Sequence, residues 1–113
     1  MAATHLQDGR PVMVDVSGKQ PTRRTAVAES VLRLTPATAA RLQEGGEKGD
    51  ALFTAELAGV MGAKRASELI PLCHPLPLSH VSVKGEVEGL AVRFTATCVT
   101  TARTGVEMEA LVA

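Results

Sequence analysis

Between His80 and Thr100 the side chains follow a period of two. Val81, Val83, Gly85 and Val87 alternate with Ser82, Lys84, Glu86 and Glu88, and Leu90, Val92, Phe94, Ala96, Cys98 and Thr100 alternate with Ala91, Arg93, Thr95, Thr97 and Val99. Successive residues of a strand point to opposite faces, so this pattern suits a half-buried strand and not a helix. Gly89 is the natural turn between the two runs, which together read as a hairpin. At 113 residues the chain can bury one core but not two independent ones. Its only aromatic residues are two Phe, so aliphatic side chains must fill that core.

The other elements are read from local signals. The first ten residues are polar and mixed, and are expected to form an ordered or partly ordered arm rather than a folded element. Thr25 to Leu34 (TAVAESVLRL), with Val27, Val31 and Leu32, favours a strand. Thr35 and Pro36 look like an N-cap and first helical residue, opening a short helix through Ala39, Leu42 and Gln43 that Gly45 and Gly46 stop. Asp50 can cap a second helix whose spacing predicts a buried face of Phe53, Leu57, Val60 and Met61. That helix should end by Ile70, because Pro71 disfavours a helical conformation in the residue before it and begins the rigid loop IPLCHPLPL. TGVEMEALVA reads as the first turns of a last helix, with Thr104 and Glu107 spaced as a capping box; its apolar pattern of Val106, Ala110, Leu111 and Val112 is expected to continue further.

Bulk properties exclude several classes of partner. Twelve basic and twelve acidic residues cancel, so nothing global draws the chain to nucleic acid or to an anionic membrane. The scarcity of aromatics argues against base-stacking surfaces. Cys73 and Cys98 stand outside any CxxC spacing, which excludes a zinc knuckle or dithiol motif but leaves a disulfide between them open. No ligand cluster of usable spacing points to a metal. No stretch has signal-peptide or membrane-spanning length, and a soluble, cytoplasmic protein is expected.

Four groups could carry chemistry. GGEKGD, residues 45 to 50, is a glycine-rich loop at a helix start, where backbone N–H groups and the Lys48 ammonium could meet a phosphate. It lacks the Walker A spacing, so a nucleotide-binding P-loop is a poor fit, and an exposed lysine on a connector explains it as well. Cys73-His74, held between prolines, could offer a fixed imidazole for acid–base work, or could be a buried thiol beside a histidine bonded to a carbonyl. Of Glu107-Met108-Glu109, a capping box accounts for Glu107 but not for Glu109. Arg23, Arg24, Lys64, Arg65 and Arg103 are individually ordinary surface charges, although Lys64 falls on the apolar stripe of its helix.

MVDVSGK at 13 to 19, KGD at 48 to 50, AGVMGAKRASELIPLCHPLPLS at 58 to 79 and TGVEMEAL at 104 to 111 together closely resemble the MoaC family of molybdenum-cofactor biosynthesis, from Met13 to the last residue. The resemblance implies an α+β, ferredoxin-like domain over 13–113 behind an arm of 1–12, an antiparallel sheet with helices on one face, and assembly as a homohexamer, a trimer of dimers. The family's reaction converts (8S)-3′,8-cyclo-7,8-dihydroguanosine 5′-triphosphate into cyclic pyranopterin monophosphate and diphosphate, without a redox cofactor; magnesium would enter only with the triphosphate. Matched motif to motif, Leu72, Cys73, His74, Met108 and Glu109 would contact substrate, and Lys48 would meet the phosphates. Glu107, Arg23 and Lys64 carry over more weakly, Lys64 as a further catalytic candidate beside His74 and Lys48. The family pattern continues past EALVA with a helix bearing an aspartate and a lysine and with a KSGGKSG-like segment. A full enzyme is therefore expected to extend beyond this sequence; the alternative is a shortened, non-catalytic chain serving as an assembly or ligand-binding module.

Overall fold

The computed structural model describes residues 5–44 and 50–113. Its first feature is a small hairpin, β1 (Leu6–Gln7) against β2 (Arg10–Pro11). Asp8 and Gly9 turn it with φ of 53° and 74°, as a two-residue hairpin turn with both central residues left-handed requires. Val12 N–H extends the pairing to His5 O at 2.8 Å. The arm therefore contains a folded element after all. Asp8-Gly9 was its signal, and no hydrophobic period accompanies it.

The main sheet has three antiparallel strands in the order β3 (Thr22–Arg33), β5 (Ala91–Ala102), β4 (Leu78–Glu88). Helices α1 (Pro36–Glu44), α2 (Ala51–Lys64) and the short α3 (Ala66–Leu69) lie between β3 and β4 in sequence, and α4 (Glu107–Val112) follows β5. The element order β-α-β-β-α, with α2 against β4 and α4 against β3 and β5, is the α+β, ferredoxin-like arrangement. The hairpin falls where the alternation placed it, turning at Gly89 with φ 61°. Asp50 caps α2 as expected, its Oδ1 accepting from Leu52 N at 2.8 Å and Phe53 N at 3.1 Å. Thr35 Oγ1 accepts from Thr38 N at 3.2 Å, the cap expected for α1. The expected stop at Gly45 and Gly46 lies outside the described residues.

The helical stretch after Asp50 is over by Ile70, as expected, but it is broken: α2 ends at Lys64, Arg65 leaves helical geometry with φ −113° and ψ 12°, and α3 supplies one further turn. Ile70 is then extended, as the following proline demands. Two local expectations differ from the structure: first, Thr104 and Glu107 do not form a capping box, because the N-cap of α4 is Val106 and carries no side-chain cap bond. Second, the face of α2 turned to the sheet is not Phe53, Leu57 and Met61, which are 68%, 61% and 51% exposed. Val60 alone of that predicted face is half-buried.

The reason for this second difference is the size of the core side chains. Ala63, Cys98, Val106 and Ala110 form the buried cluster, with Ala26, Ala28, Leu76, Leu78 and Val81 packed on it. Small residues on both sides let α2 lie close over β4: a Cβ on Gly59 would sit 2.9 Å from Val83 Cγ2 and 3.2 Å from the Ala113 backbone. Glu56 adds a polar tie, its Oε2 accepting from Gly85 N at 2.7 Å. Gly59→Leu is accordingly expected to lower stability by about 1–3 kcal/mol through overpacking, read as a lower urea midpoint. The strand β3 repeats the pattern, with Ala26 and Ala28 half-buried while Val27 is 63% and Val31 52% exposed on the face away from the helices. That face also carries charged side chains, with Arg93 paired to Glu29 and Glu88. No described helix is long and apolar enough to cross a membrane.

Candidate functional site

A cleft of roughly 360 Å³ opens where the loop after α3, the start of α4 and the segment leading into β3 meet. The loop is held at both ends. At its entry, Cys73 N–H bonds to Ile70 O at 3.3 Å, closing a turn with Pro71 second and Leu72 third. Leu72 has φ 66°, a left-handed conformation that costs a branched residue about 1–2 kcal/mol and that such turns usually give to glycine. At its exit, the fully buried Thr100 donates its hydroxyl to Pro77 O at 2.6 Å, and Ser79 donates to Val99 O at 3.0 Å. The central strand thus anchors Cys73 and His74, and the strain at Leu72 accompanies that placement.

Across the cleft, Glu109 is only 4% exposed although carboxylates are almost never buried unpaired. The Cys73 thiol donates to its Oε1 at 3.6 Å. Burial pushes the Cys73 thiol above its ordinary value, and the neighbouring Glu109 charge and hydrogen bond push it the same way. A thiol held protonated serves as a donor and a wall of the cleft, not as a nucleophile. The second oxygen of Glu109, Oε2, is buried with no hydrogen-bond partner. An unpaired buried acceptor costs about 1–3 kcal/mol, and this one stands at the wall of the cleft.

Glu107 and Met108 line the same cleft. With the capping box gone, no cap explains Glu107, whose carboxylate folds over Gly105 and leaves no room there for a Cβ. Leu72, Cys73, His74, Glu107, Met108 and Glu109, five loop- or helix-borne candidates from one pair of motifs plus the weaker Glu107, are thus gathered around one space. Lys64 is not among them: it lines a second cleft with Val60, Leu76, Leu78, Ser79, His80 and Val81. Arg23 is exposed at the start of β3. Lys48 lies outside the described residues. Among the described residues no group of three or more His, Cys, Asp or Glu is arranged to hold a metal ion, and Cys73 and Cys98 are both free thiols.

A family model, "MoaC family", matches residues 13–113. The chain belongs to the MoaC family. It is 50% identical to the cyclic pyranopterin monophosphate synthase of Brevibacillus brevis, over 97% of this chain and 71% of that protein. The protein of the same name from Streptomyces coelicolor is 54% identical over 97% of this chain and 66% of its own length. That of Roseiflexus sp. is 53% identical over 97% and 72%. The chain therefore spans between 66% and 72% of these relatives.

The MoaC chain also brings to its cleft residues that the sequence singled out for no chemistry. Val14, Val16 and Lys19 line it, as do His5 from the arm and Thr104 with Gly105. The MVDVSGK segment holds itself in place: Ser17 N–H donates to Asp15 Oδ1 at 2.9 Å, and Arg103 Nε donates to Lys19 O at 3.1 Å. Asp followed two residues later by Ser is a readable turn signal. What it packs against is not readable locally.

Proposed function

We propose that the chain acts as a cyclic pyranopterin monophosphate synthase, taking (8S)-3′,8-cyclo-7,8-dihydroguanosine 5′-triphosphate to cyclic pyranopterin monophosphate and diphosphate, a lyase reaction of molybdenum-cofactor biosynthesis. The observation that carries this reading most is the unpartnered Glu109 Oε2 beside the imidazole-bearing loop. A guanine-derived ring presents N–H groups, and a buried carboxylate oxygen with no partner suits one of them. Ring opening requires protons to be taken up and returned, a task for His74 near neutral pH. Closing the cyclic phosphate forms a new phosphorus–oxygen bond at the α-phosphorus and breaks the α–β bridging bond, so negative charge grows on the departing diphosphate. We assign the stabilisation of that charge to Lys48, on the glycine-rich loop of the sequence, with Lys19, which lines the cleft, as a second cation. Magnesium would come with the triphosphate rather than reside in the protein.

Assembly as a homohexamer of dimers, in the cytoplasm, belongs to the same proposal. Phe53, Leu57 and Met61 form an exposed apolar stripe along α2, the kind of surface that a protein contact covers. A subunit contact would bury it and would give Lys64 and Arg23 a route to a neighbouring cleft. The second reading, a non-catalytic assembly or ligand-binding module, is favoured by the placement of Lys64 and Arg23 away from the cleft within one subunit. Calorimetric titration with the cyclic triphosphate tests the site shared by both readings. Saturable binding that weakens in Glu109→Gln is expected, and no binding by the wild type would overturn the assignment.

A further inference from the structure

His74 Nε2 lies 2.6 Å from the carbonyl oxygen of Val14, a residue 60 positions earlier in the chain. A carbonyl oxygen only accepts hydrogen bonds, so the ring nitrogen facing it must carry a proton. The other nitrogen of a histidine held this way is the one free to gain or lose a proton. The residue that follows this carbonyl opens a local turn, in which Asp15 Oδ1 receives Ser17 N–H at 2.9 Å. Hydrogen bonding from the Ser17 side chain, and then from its backbone N–H, keeps the Asp15 carboxyl below its ordinary value, with His74 adding a minor pull the same way.

We infer that Asp15 is a positioning residue for His74: its turn aims the Val14 carbonyl at Nε2, fixing the imidazole in the Nε2–H tautomer and leaving Nδ1 as its only proton-exchanging atom. Asp15 does not reach the reacting atoms; it acts through the backbone. The groups that face or border the imidazole are Asp15 and Lys19 from the leading segment, His5 from the arm, Cys73 from the loop, and Glu107 and Glu109 from α4. None of these is hydrogen-bonded to the ring among the described residues, so the Val14 contact alone sets the tautomer.

The structural half of the inference stands apart from the proposed activity, and the kinetic half rests on it. Two-bond 15N–1H spectra of imidazole-labelled protein report the tautomer directly, and the chain has only three histidines, so the His74→Ala spectrum assigns the signal. The wild type should show a protonated Nε2 and an unprotonated Nδ1. Asp15→Asn, whose side-chain oxygen can make the same turn, should keep that pattern and the wild-type kcat. Asp15→Ala should average the two nitrogen shifts and lower kcat about tenfold with little change in KM, a smaller loss than removal of the acid–base group itself brings. An Nδ1–H tautomer in the wild type, an unchanged tautomer in Asp15→Ala, or an Asp15→Asn variant that behaves like Asp15→Ala would each overturn the inference. If no form turns over substrate, the proposed activity fails and the spectra still decide the tautomer.

Discussion

His74→Ala is expected to lower turnover of the cyclic triphosphate by about 10²- to 10⁴-fold, the usual worth of a positioned acid–base group. The protein itself should stay folded, because the imidazole makes one hydrogen bond to Val14 O and is only half-buried; losing such a bond costs about 1 kcal/mol. Comparing kcat, KM and the denaturation midpoint in one sample set separates the two effects. A variant with wild-type turnover would remove His74 from the chemistry, whereas a variant that fails to fold would assign it to structure.

The second large effect is expected at Glu109, where function and stability should move in opposite directions. Glu109→Gln keeps an oxygen to accept from the Cys73 thiol but replaces a buried carboxylate whose Oε2 has no partner. A charged group buried without full pairing destabilises the fold, so the variant should be as stable as the wild type or more stable by up to about 1 kcal/mol. Substrate binding should weaken by about ten- to a hundredfold, since hydrogen bonds to charged groups are worth roughly 1.5–3 kcal/mol. Loss of stability with unchanged affinity would mean that Glu109 braces the loop and does not meet the ligand.

Those two residues show what the sequence could and could not disclose. The Cys73-His74 loop and the Glu107-Met108-Glu109 helix start were legible as candidates, and so was their membership in one motif set. Their meeting, with Cys73 and Glu109 36 positions apart, follows from the order of β4, β5 and α4 and not from local spacing. The hairpin was legible because alternation is a direct consequence of strand geometry. The buried face of α2 was not, because residue size is a poor guide where glycine and alanine permit close approach: Gly59 and Ala63 face inward while Phe53 and Leu57 face out. The capping-box spacing at Thr104 was equally misleading, since the helix starts after Val106 and Glu107 turns towards Gly105. Nothing local could announce that MVDVSGK would lie against His74, because that contact links residues 60 apart.

Turnover by this polypeptide tests the synthase assignment most directly. Incubated with (8S)-3′,8-cyclo-7,8-dihydroguanosine 5′-triphosphate, the purified protein should yield cyclic pyranopterin monophosphate and diphosphate in equal amounts, with the yield collapsing in His74→Ala. Tight binding without either product would contradict the synthase assignment and leave the chain a ligand-binding module.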